Sequence, residues 1–297
     1  MRPLTKLPVV APATAALVFV LAVAEVCAAE TTGPRGPESG DLRRQAWLIP
    51  SPDRATLMRA TLFRPPGPGP FRLAVINHGS TQGATQRAKF PAPLFRGATE
   101  WLVRQGFAVL LPQRPGHGET GGRYLEDQRG CENADYRGAG LAAADSIQMA
   151  VDFMRTQAFV QKTGAVVIGH SAGGWGALAL ASRNPKGVSA VIAFAAGRGG
   201  RIDNRPGQNC APDRLVEAAR SYGAHARVPV LAIYAQNDSF FRPTLAKRVI
   251  DAFRRSGGRA EYQILPAFEE DGHYLFERAS GVAAWSPLVE AFLNRHR

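Results

Sequence analysis

The stretch "VVIGHSAGGWGALAL", residues 166–180, is the feature that most constrains the fold. A β-branched apolar run precedes Ser171 and an Ala- and Leu-rich segment follows it, so a strand must turn into a helix within one or two residues. Such a reversal strains the central residue and leaves no room for side chains two positions away, which accounts for Gly169 and Gly173. The pattern predicts an exposed Ser171 hydroxyl at the apex of the turn; a glycine-rich turn with an incidental serine is the alternative.

Strand-like and helix-like segments alternate along the rest of the chain. Strand patterns begin at Phe71, Phe107, Ala165, Val188, Val228 and Glu261, and helix patterns cover Ala92–Gly106, Arg137–Gln157, Ala172–Arg183 and the C-terminus. This alternation predicts an α/β domain with a mostly parallel central sheet and helices on both faces. Ligands bind beyond the carboxyl ends of the strands in such sheets, and Ser171 falls at that edge.

Residues 1–29 have the layout of a secretory signal peptide. Two basic residues precede an apolar run over residues 7–23, and small residues follow, with plausible cleavage sites after Ala24, Ala28 or Ala29. An uncleaved membrane anchor is the alternative. We therefore expect a secreted or periplasmic protein with no stable membrane insertion after the signal is removed.

The remaining chain is expected to form one domain. Residues 30–40 are rich in Gly and Pro and predict a flexible spacer, and residues 41–297 contain no repeat that would indicate a second domain. The net charge is +12, but the basic residues are dispersed, so a nucleic-acid partner is not expected. The histidines lack the paired spacing of a zinc site, and neither a metal nor an organic cofactor is expected.

A serine nucleophile requires a base and an acid that orients the base. His273 is the predicted base because it follows the last predicted strand, Glu261–Leu265, at the edge that carries Ser171. The other five histidines lie upstream of the serine, beside it, at the opposite edge of the sheet or at the C-terminus. Asp238, directly after a buried strand, is the predicted acid, and Asp271 is the rival.

Acyl transfer also needs hydrogen-bond donors for the developing oxyanion. The backbone N–H of Ala172 is one predicted donor. The second is expected from the loop after the strand that begins at Phe71, where Ser80 is the first candidate and Gly79 the next. His78 in the same loop is expected to shape the loop rather than to perform chemistry.

Five short elements occur in a characteristic order between residues 71 and 276: "NHGS", "QRPGHGET", "GHSAGG", "QNDSF" and "DGHYLF". In these elements the chain resembles the α/β-hydrolase superfamily, most closely its dienelactone hydrolase-like and secreted esterase branches. The resemblance implies the α/β-hydrolase fold, a triad of Ser171, Asp238 and His273, and a short cap after the sixth strand, at about residues 197–227. Dienelactone hydrolases proper use a cysteine nucleophile, so Ser171 departs from their pattern.

Two cysteines, Cys131 and Cys210, remain if Cys27 leaves with the signal peptide. A compartment outside the cytoplasm permits a disulfide between them, and two free thiols are the alternative. The family resemblance puts both cysteines in loops beside the pocket, where a bridge would clamp its rim.

The sequence thus predicts a secreted serine hydrolase, of the carboxylesterase class (EC 3.1.1), that cleaves a small-molecule ester through an acyl-enzyme. An amidase, a small peptidase or an envelope acyltransferase with the same triad is the alternative. A non-catalytic binding protein of the same fold is a further one. No oligomeric state is predicted.

Overall fold

The structure, a computed structural model, describes residues 31–296, so the predicted signal peptide at 1–29 lies outside the described residues. The strands are β1 (Gly33–Ser39), β2 (Arg44–Ile49), β3 (Met58–Phe63), β4 (Arg72–Asn77), β5 (Phe107–Pro112), β6 (Ala165–His170), β7 (Val188–Phe194), β8 (Val230–Ala235) and β9 (Ala260–Leu265). The helices are α1 (Ala84–Ala88), α2 (Arg96–Arg104), α3 (Tyr136–Met154), α4 (Ala172–Ala181), α5 (Pro212–His225), α6 (Pro243–Arg255) and α7 (Val282–Arg295). None of these helices has the length and apolar character needed to cross a bilayer.

The strands form one sheet in the order β1-β2-β3-β5-β4-β6-β7-β8-β9. The pairs β1–β2, β2–β3 and β3–β5 are antiparallel, whereas every pair from β5 through β9 is parallel. The predicted mostly parallel sheet is therefore confirmed. Because parallel strands end on the same side, the segments that follow β4, β6, β7, β8 and β9 meet along one edge.

Both faces of the sheet are covered by helices. Along β4, Leu73 and Val75 join the apolar layer that contains residues of α3, α4, α5 and α6, whereas Ala74 and Ile76 join the layer that contains residues of α2 and α7. All four β4 side chains are fully buried. Burial on both faces explains why the central strands read as continuous apolar runs rather than as alternating patterns.

Residues 33–39 form edge strand β1 and are not the flexible spacer that was predicted for 30–40. The strand pairs antiparallel with β2, and its Glu38 carboxylate accepts hydrogen bonds from Arg43 Nε at 2.5 Å and Arg64 Nε at 2.6 Å. The Gly- and Pro-rich composition indicated a loop. Proline is nevertheless tolerated at a sheet edge, because its missing N–H can lie on the unpaired side.

Only the first half of the insertion after β7, which was predicted as a cap over residues 197–227, lies at the cavity. Its second half is helix α5, which packs against α3 and α6 in the body of the domain. The irregular stretch 197–211 contributes Gly197 to Arg201 and Asn204 to the wall of the cavity described below. The cap is therefore a loop of about half the predicted length.

A disulfide joins Cys131, in the loop between β5 and α3, to Cys210 in the loop after β7. The two Cα atoms are 5.1 Å apart. The Tyr136 hydroxyl donates a hydrogen bond to the carbonyl of Cys210, which fixes the same junction from the side of α3. The bridge that the sequence left open is thus formed in the structure.

We expect the double substitution Cys131→Ser and Cys210→Ser to lower the free energy of unfolding by about 2–5 kcal/mol, because the bridge closes a long loop in the unfolded chain. Guanidinium denaturation of protein made in an oxidising compartment measures this difference. Wild-type protein treated with dithiothreitol should match the variant. If both thiols of the untreated protein react with an alkylating reagent, the bridge does not form in solution.

Candidate active site

Ser171 lies between β6 and α4 with φ 54° and ψ −119°, a backbone conformation that non-glycine residues rarely adopt. A side chain at Gly169 would collide with the backbone of Gly173. A side chain at Gly173 would collide with the carbonyl oxygens of Asn77 and His78 at the end of β4. The predicted sharp turn is therefore present. Gly173 is needed because helix α4 begins directly against the neighbouring strand.

A cavity of about 850 Å³ opens at this edge of the sheet, and Ser171, Ala172, Ser80 and His273 all line it. Its aromatic lining consists of Phe90, Phe95, Phe240, Phe241 and Tyr274, and its charged lining includes Arg198, Arg201 and Glu277. The structure thus brings the predicted nucleophile, base and oxyanion donors to one cavity. Within residues 31–296, no three His, Cys, Asp or Glu side chains are grouped in a way that could hold a metal ion.

The imidazole of His273 is held by the carboxylate of Asp238. Its Nδ1 atom lies 3.2 Å and 3.3 Å from the two carboxylate oxygens, and Asp238 is only 1% exposed. Oδ1 of Asp238 also accepts the backbone N–H groups of Phe240 and Phe241, each at 2.8 Å. Because Nδ1 donates to the carboxylate, Nε2 is left as the proton acceptor of the neutral ring. The Phe240 ring stacks on the imidazole at a centroid distance of 4.0 Å.

The Ser171 hydroxyl makes no hydrogen bond to another residue of the segment 31–296, and its side chain is partly exposed. Gly79 lies directly against it, since a Cβ atom at Gly79 would be 3.3 Å from Ser171 Cβ and 3.8 Å from its Oγ. Hydrogen bonds between catalytic groups are often long without substrate and shorten in the reacting complex. The backbone thus presents the hydroxyl to the cavity, and His273 lines the same space.

Asp271 contacts the backbone of His273 rather than its ring. The carboxylate accepts hydrogen bonds from the N–H of His273 at 3.0 Å, from the N–H of Ser239 at 3.0 Å and from Ser239 Oγ at 2.5 Å. Burial alone would raise the pKa of Asp271, but these hydrogen bonds hold it below its ordinary value. Of the two rival acids, Asp238 is therefore the one at the imidazole, and Asp271 orients the loop.

The sequence did not predict a second pair of side chains beside His273, which is formed by His170 and Glu277. His170 is buried, its Nε2 atom lies 2.8 Å from the carbonyl oxygen of His273, and its Nδ1 atom lies 2.9 Å from the Glu277 carboxylate. Burial would lower the pKa of His170, but the charge of Glu277 raises it above its ordinary value. The protonated ring can donate from both nitrogens and so supports the His273 backbone. No sequence pattern links these three positions.

The predicted oxyanion loop is also held in place. In the described part of the chain, the N–H groups of Gly79, Ser80 and Ala172 have no acceptor. His78 Nε2 accepts the N–H of Arg114 at 3.0 Å, so its Nδ1 carries the proton and donates to the Gly79 carbonyl at 2.6 Å. Burial, reinforced by Arg114, lowers the pKa of His78 well below its ordinary value, which keeps the ring neutral.

A peptide unit is planar and trans, so its N–H points opposite to its carbonyl. By holding the Gly79 carbonyl, His78 therefore also sets the direction of the Ser80 N–H. This geometry agrees with the expectation that His78 shapes the loop.

We expect Gly173→Ala to lower the free energy of unfolding by about 1–3 kcal/mol or more, because the new methyl group would press on fixed backbone atoms of β4. Denaturant unfolding measures the change. Gly130→Ala is the matched control, since no atom lies within 4 Å of a Cβ at that position and its φ is −76°. Equal stability of the two variants would contradict the close approach of α4 to β4.

Comparisons with known proteins agree with this fold. Residues 60–295 match the dienelactone hydrolase family. No curated protein matches the chain. Among solved structures, the chain is similar to the esterase Pf2001 of Pyrococcus furiosus, with 14% identity, TM-score 0.62 and coverage of 90% of this chain and 99% of that one.

Two further structures share the fold. An acetyl xylan esterase from Paenibacillus sp. R4 has 14% identity and TM-score 0.59, and the match covers 90% of this chain and 88% of that one. A puromycin-hydrolysing peptidase of Mycobacterium tuberculosis has 17% identity and TM-score 0.58, and the match covers 86% of this chain and 39% of that one. At these identities the structures establish the α/β-hydrolase fold alone, whereas the family match spans most of the sequence. The chain belongs to the dienelactone hydrolase family.

Proposed function

We propose that the chain is a serine hydrolase that cleaves a carboxylic ester through an acyl-enzyme formed on Ser171. Membership of a hydrolase family supports the broad class. One observation carries the finer proposal: the imidazole of His273 lines the same cavity as Ser171 while its far nitrogen is held by buried Asp238. A nucleophile, a base and an acid that fixes the ring tautomer are the groups that this chemistry requires.

In the first half-reaction, Ser171 Oγ attacks the acyl carbon of the ester and His273 Nε2 takes the hydroxyl proton. The carbonyl π electrons move onto oxygen, and the backbone N–H groups of Ala172 and Ser80 stabilise the oxyanion. Asp238 stabilises the imidazolium that has formed. The C–O bond to the alcohol then breaks, and the alkoxide leaves with the proton from His273. In the second half-reaction, water attacks the acyl-enzyme by the same steps and releases the acid.

The cavity supports a small-molecule substrate with an apolar portion. Its volume of about 850 Å³ and its aromatic lining fit an acyl or alcohol group of moderate size. Two proteins of similar fold are called esterases and a third is called a peptidase, so an ester is the first bond to test and an amide the second. An amidase, a peptidase or an acyltransferase would use the same residues and differ only in the leaving group or the acceptor.

The proposed location is outside the cytoplasm. Residues 1–29 have the pattern of a signal peptide, and the Cys131–Cys210 disulfide supports an oxidising compartment.

We expect Ser171→Ala to lower kcat on a short-chain aryl ester by at least about 10⁴-fold and to abolish labelling by a fluorophosphonate probe, because no other group replaces the nucleophile. Circular dichroism should show unchanged folding. Ser182→Ala, at the other end of α4, is the matched control and should behave as wild type. Assays of a lactone and an anilide beside the ester decide the bond type. Labelling of the Ser171→Ala protein at wild-type rate would disprove the proposal.

The two candidate acids, Asp238 and Asp271, should differ in how much kcat falls when each is replaced by asparagine. Asp238→Asn should lower kcat by about 10³–10⁴-fold, because an amide cannot stabilise the imidazolium and favours the wrong ring tautomer. Asp271→Asn should lower kcat by about tenfold or less, since that carboxylate accepts hydrogen bonds from the N–H groups of His273 and Ser239 and from the Ser239 hydroxyl, and lies 3.7 Å from Arg201, rather than holding the imidazole. Steady-state kinetics of both variants on one ester decide between them. If Asp271→Asn is the inactive variant, the assignment of the acid is wrong.

A further inference from the structure

The side chain of Ser80 is bound on two sides, although only its backbone N–H has a place in the proposed reaction. Its Oγ atom lies 2.8 Å from His117 Nε2 and 3.2 Å from the Tyr124 hydroxyl. The Tyr124 hydroxyl in turn lies 3.3 Å from Nη1 of Arg198. We call His117, Ser80, Tyr124 and Arg198 the Ser80 chain.

The hydrogen bonds of the Ser80 chain all run in one direction. His117 Nδ1 lies 3.1 Å and 3.2 Å from the carbonyl oxygens of Arg114 and Pro115, which only accept, so Nδ1 carries the proton. Burial lowers the pKa of His117 to about 4, so the ring is neutral and Nε2 is an acceptor. The Ser80 hydroxyl therefore donates to His117 and accepts from Tyr124. The Tyr124 oxygen accepts from the guanidinium of Arg198, which can only donate.

Buried ion pairs anchor the Ser80 chain at both of its ends, Arg198 and His117. Arg198 is 3% exposed, its guanidinium pairs with the Glu126 carboxylate, and Nη1 donates to the Glu126 carbonyl at 3.1 Å. Glu126 also pairs with Arg114, whose carbonyl is one of the acceptors for His117. Burial would raise the pKa of Glu126, but Arg114 and Arg198 hold it at about 2. The contacts thus close into a ring of which Ser80 is one member.

We propose that His117, Tyr124 and Arg198 are positioning residues that hold the backbone N–H of Ser80 in place for the oxyanion. This inference rests on the proposed function, because it requires that N–H to act as the second donor. His78 restrains the carbonyl side of the 79–80 peptide, and the Ser80 chain restrains the residue that follows it. Donors that are already oriented need no reorganisation when charge develops, which is where oxyanion holes gain their effect.

A Ser–His pair beside a cavity could instead be a second nucleophile. His117 is a poor base for that role, because its pKa is about 4 and its Nδ1 faces backbone carbonyls rather than a carboxylate. The hydroxyl of Ser80 is therefore assigned to holding the loop.

Tyr124→Phe is the sharpest test. The substitution removes one hydroxyl and keeps the ring, over which the Arg87 guanidinium lies at 3.7 Å from the centroid. We expect kcat to fall about tenfold, less than the 10²–10³-fold that follows removal of an oxyanion donor itself, with KM within about twofold of wild type. The affinity for a trifluoromethyl ketone matched to the substrate should fall by the same factor as kcat, because the bound ketone carries an oxyanion.

Two further sets of variants separate positioning from stability. Tyr262→Phe removes a part-buried hydroxyl that lies 3.4 Å from the Pro243 carbonyl, between α6 and β9, and should leave kcat and ketone affinity unchanged. Ser80→Ala keeps the backbone N–H and should repeat the loss seen for Tyr124→Phe, whereas Ser80→Thr restores a hydroxyl and should recover most of the activity.

Three outcomes would overturn the inference. They are unchanged kcat and ketone affinity in Tyr124→Phe, a loss that merely follows the unfolded fraction measured by thermal denaturation, and fluorophosphonate labelling of Ser80. Labelling of wild-type Ser171 by the same probe reports on the proposed function separately. If Ser171 is labelled and Tyr124→Phe is unaffected, only this inference fails; if wild-type Ser171 is not labelled, the proposed function fails as well.

Discussion

The start of helix α4 lies against the end of strand β4, and the arrangement of the site depends on this contact. Gly173 has no side chain, so its backbone can approach the carbonyl oxygens of Asn77 and His78. The same approach brings the turn at Ser171 beside Gly79. The proposed nucleophile and the Ala172 donor are therefore placed by backbone packing between neighbouring strands, whereas the Ser80 donor is also held by the side chains of His78 and of the Ser80 chain.

The proposed base and acid are placed differently, by loops after β8 and β9 that side chains hold together. Asp238 binds the ring of His273, Asp271 binds its N–H, and His170 binds its carbonyl. Each of the three contacts restrains a different part of one residue, so the imidazole has little freedom to turn. Buried ionic groups of this kind contribute little net stability, because desolvation offsets much of their attraction. Their effect here is to fix the position and orientation of the His273 imidazole.

The residues that follow strand ends were predictable from the sequence. Ser171, Asp238 and His273 each come directly after, or soon after, an apolar run, and parallel strands bring such positions to one edge. The His170–Glu277 pair and the Tyr124–Arg198 contact were not predictable, because they depend on the paths of loops that join residues far apart in sequence. Strand β1 was missed because Gly and Pro occur both in loops and in edge strands. The extent of the cap was overestimated because the helical pattern of residues 212–225 does not say which surface the helix covers.

The pair formed by His170 and Glu277 affects how the pH dependence of this protein should be interpreted. The ion pair between His170 and Glu277 exists only while His170 is protonated, and the pKa of His170 lies above its ordinary 6.5. The pair is therefore intact between the lowered pKa of Glu277 and the raised pKa of His170, and it is lost as the pH rises through the latter. Once neutral, the ring keeps its proton on Nε2, where the His273 carbonyl accepts it, and turns an unprotonated Nδ1 towards a carboxylate. An inflection in activity above pH 6.5 would then include the loosening of this support and would not by itself identify the ionisation of the reacting groups.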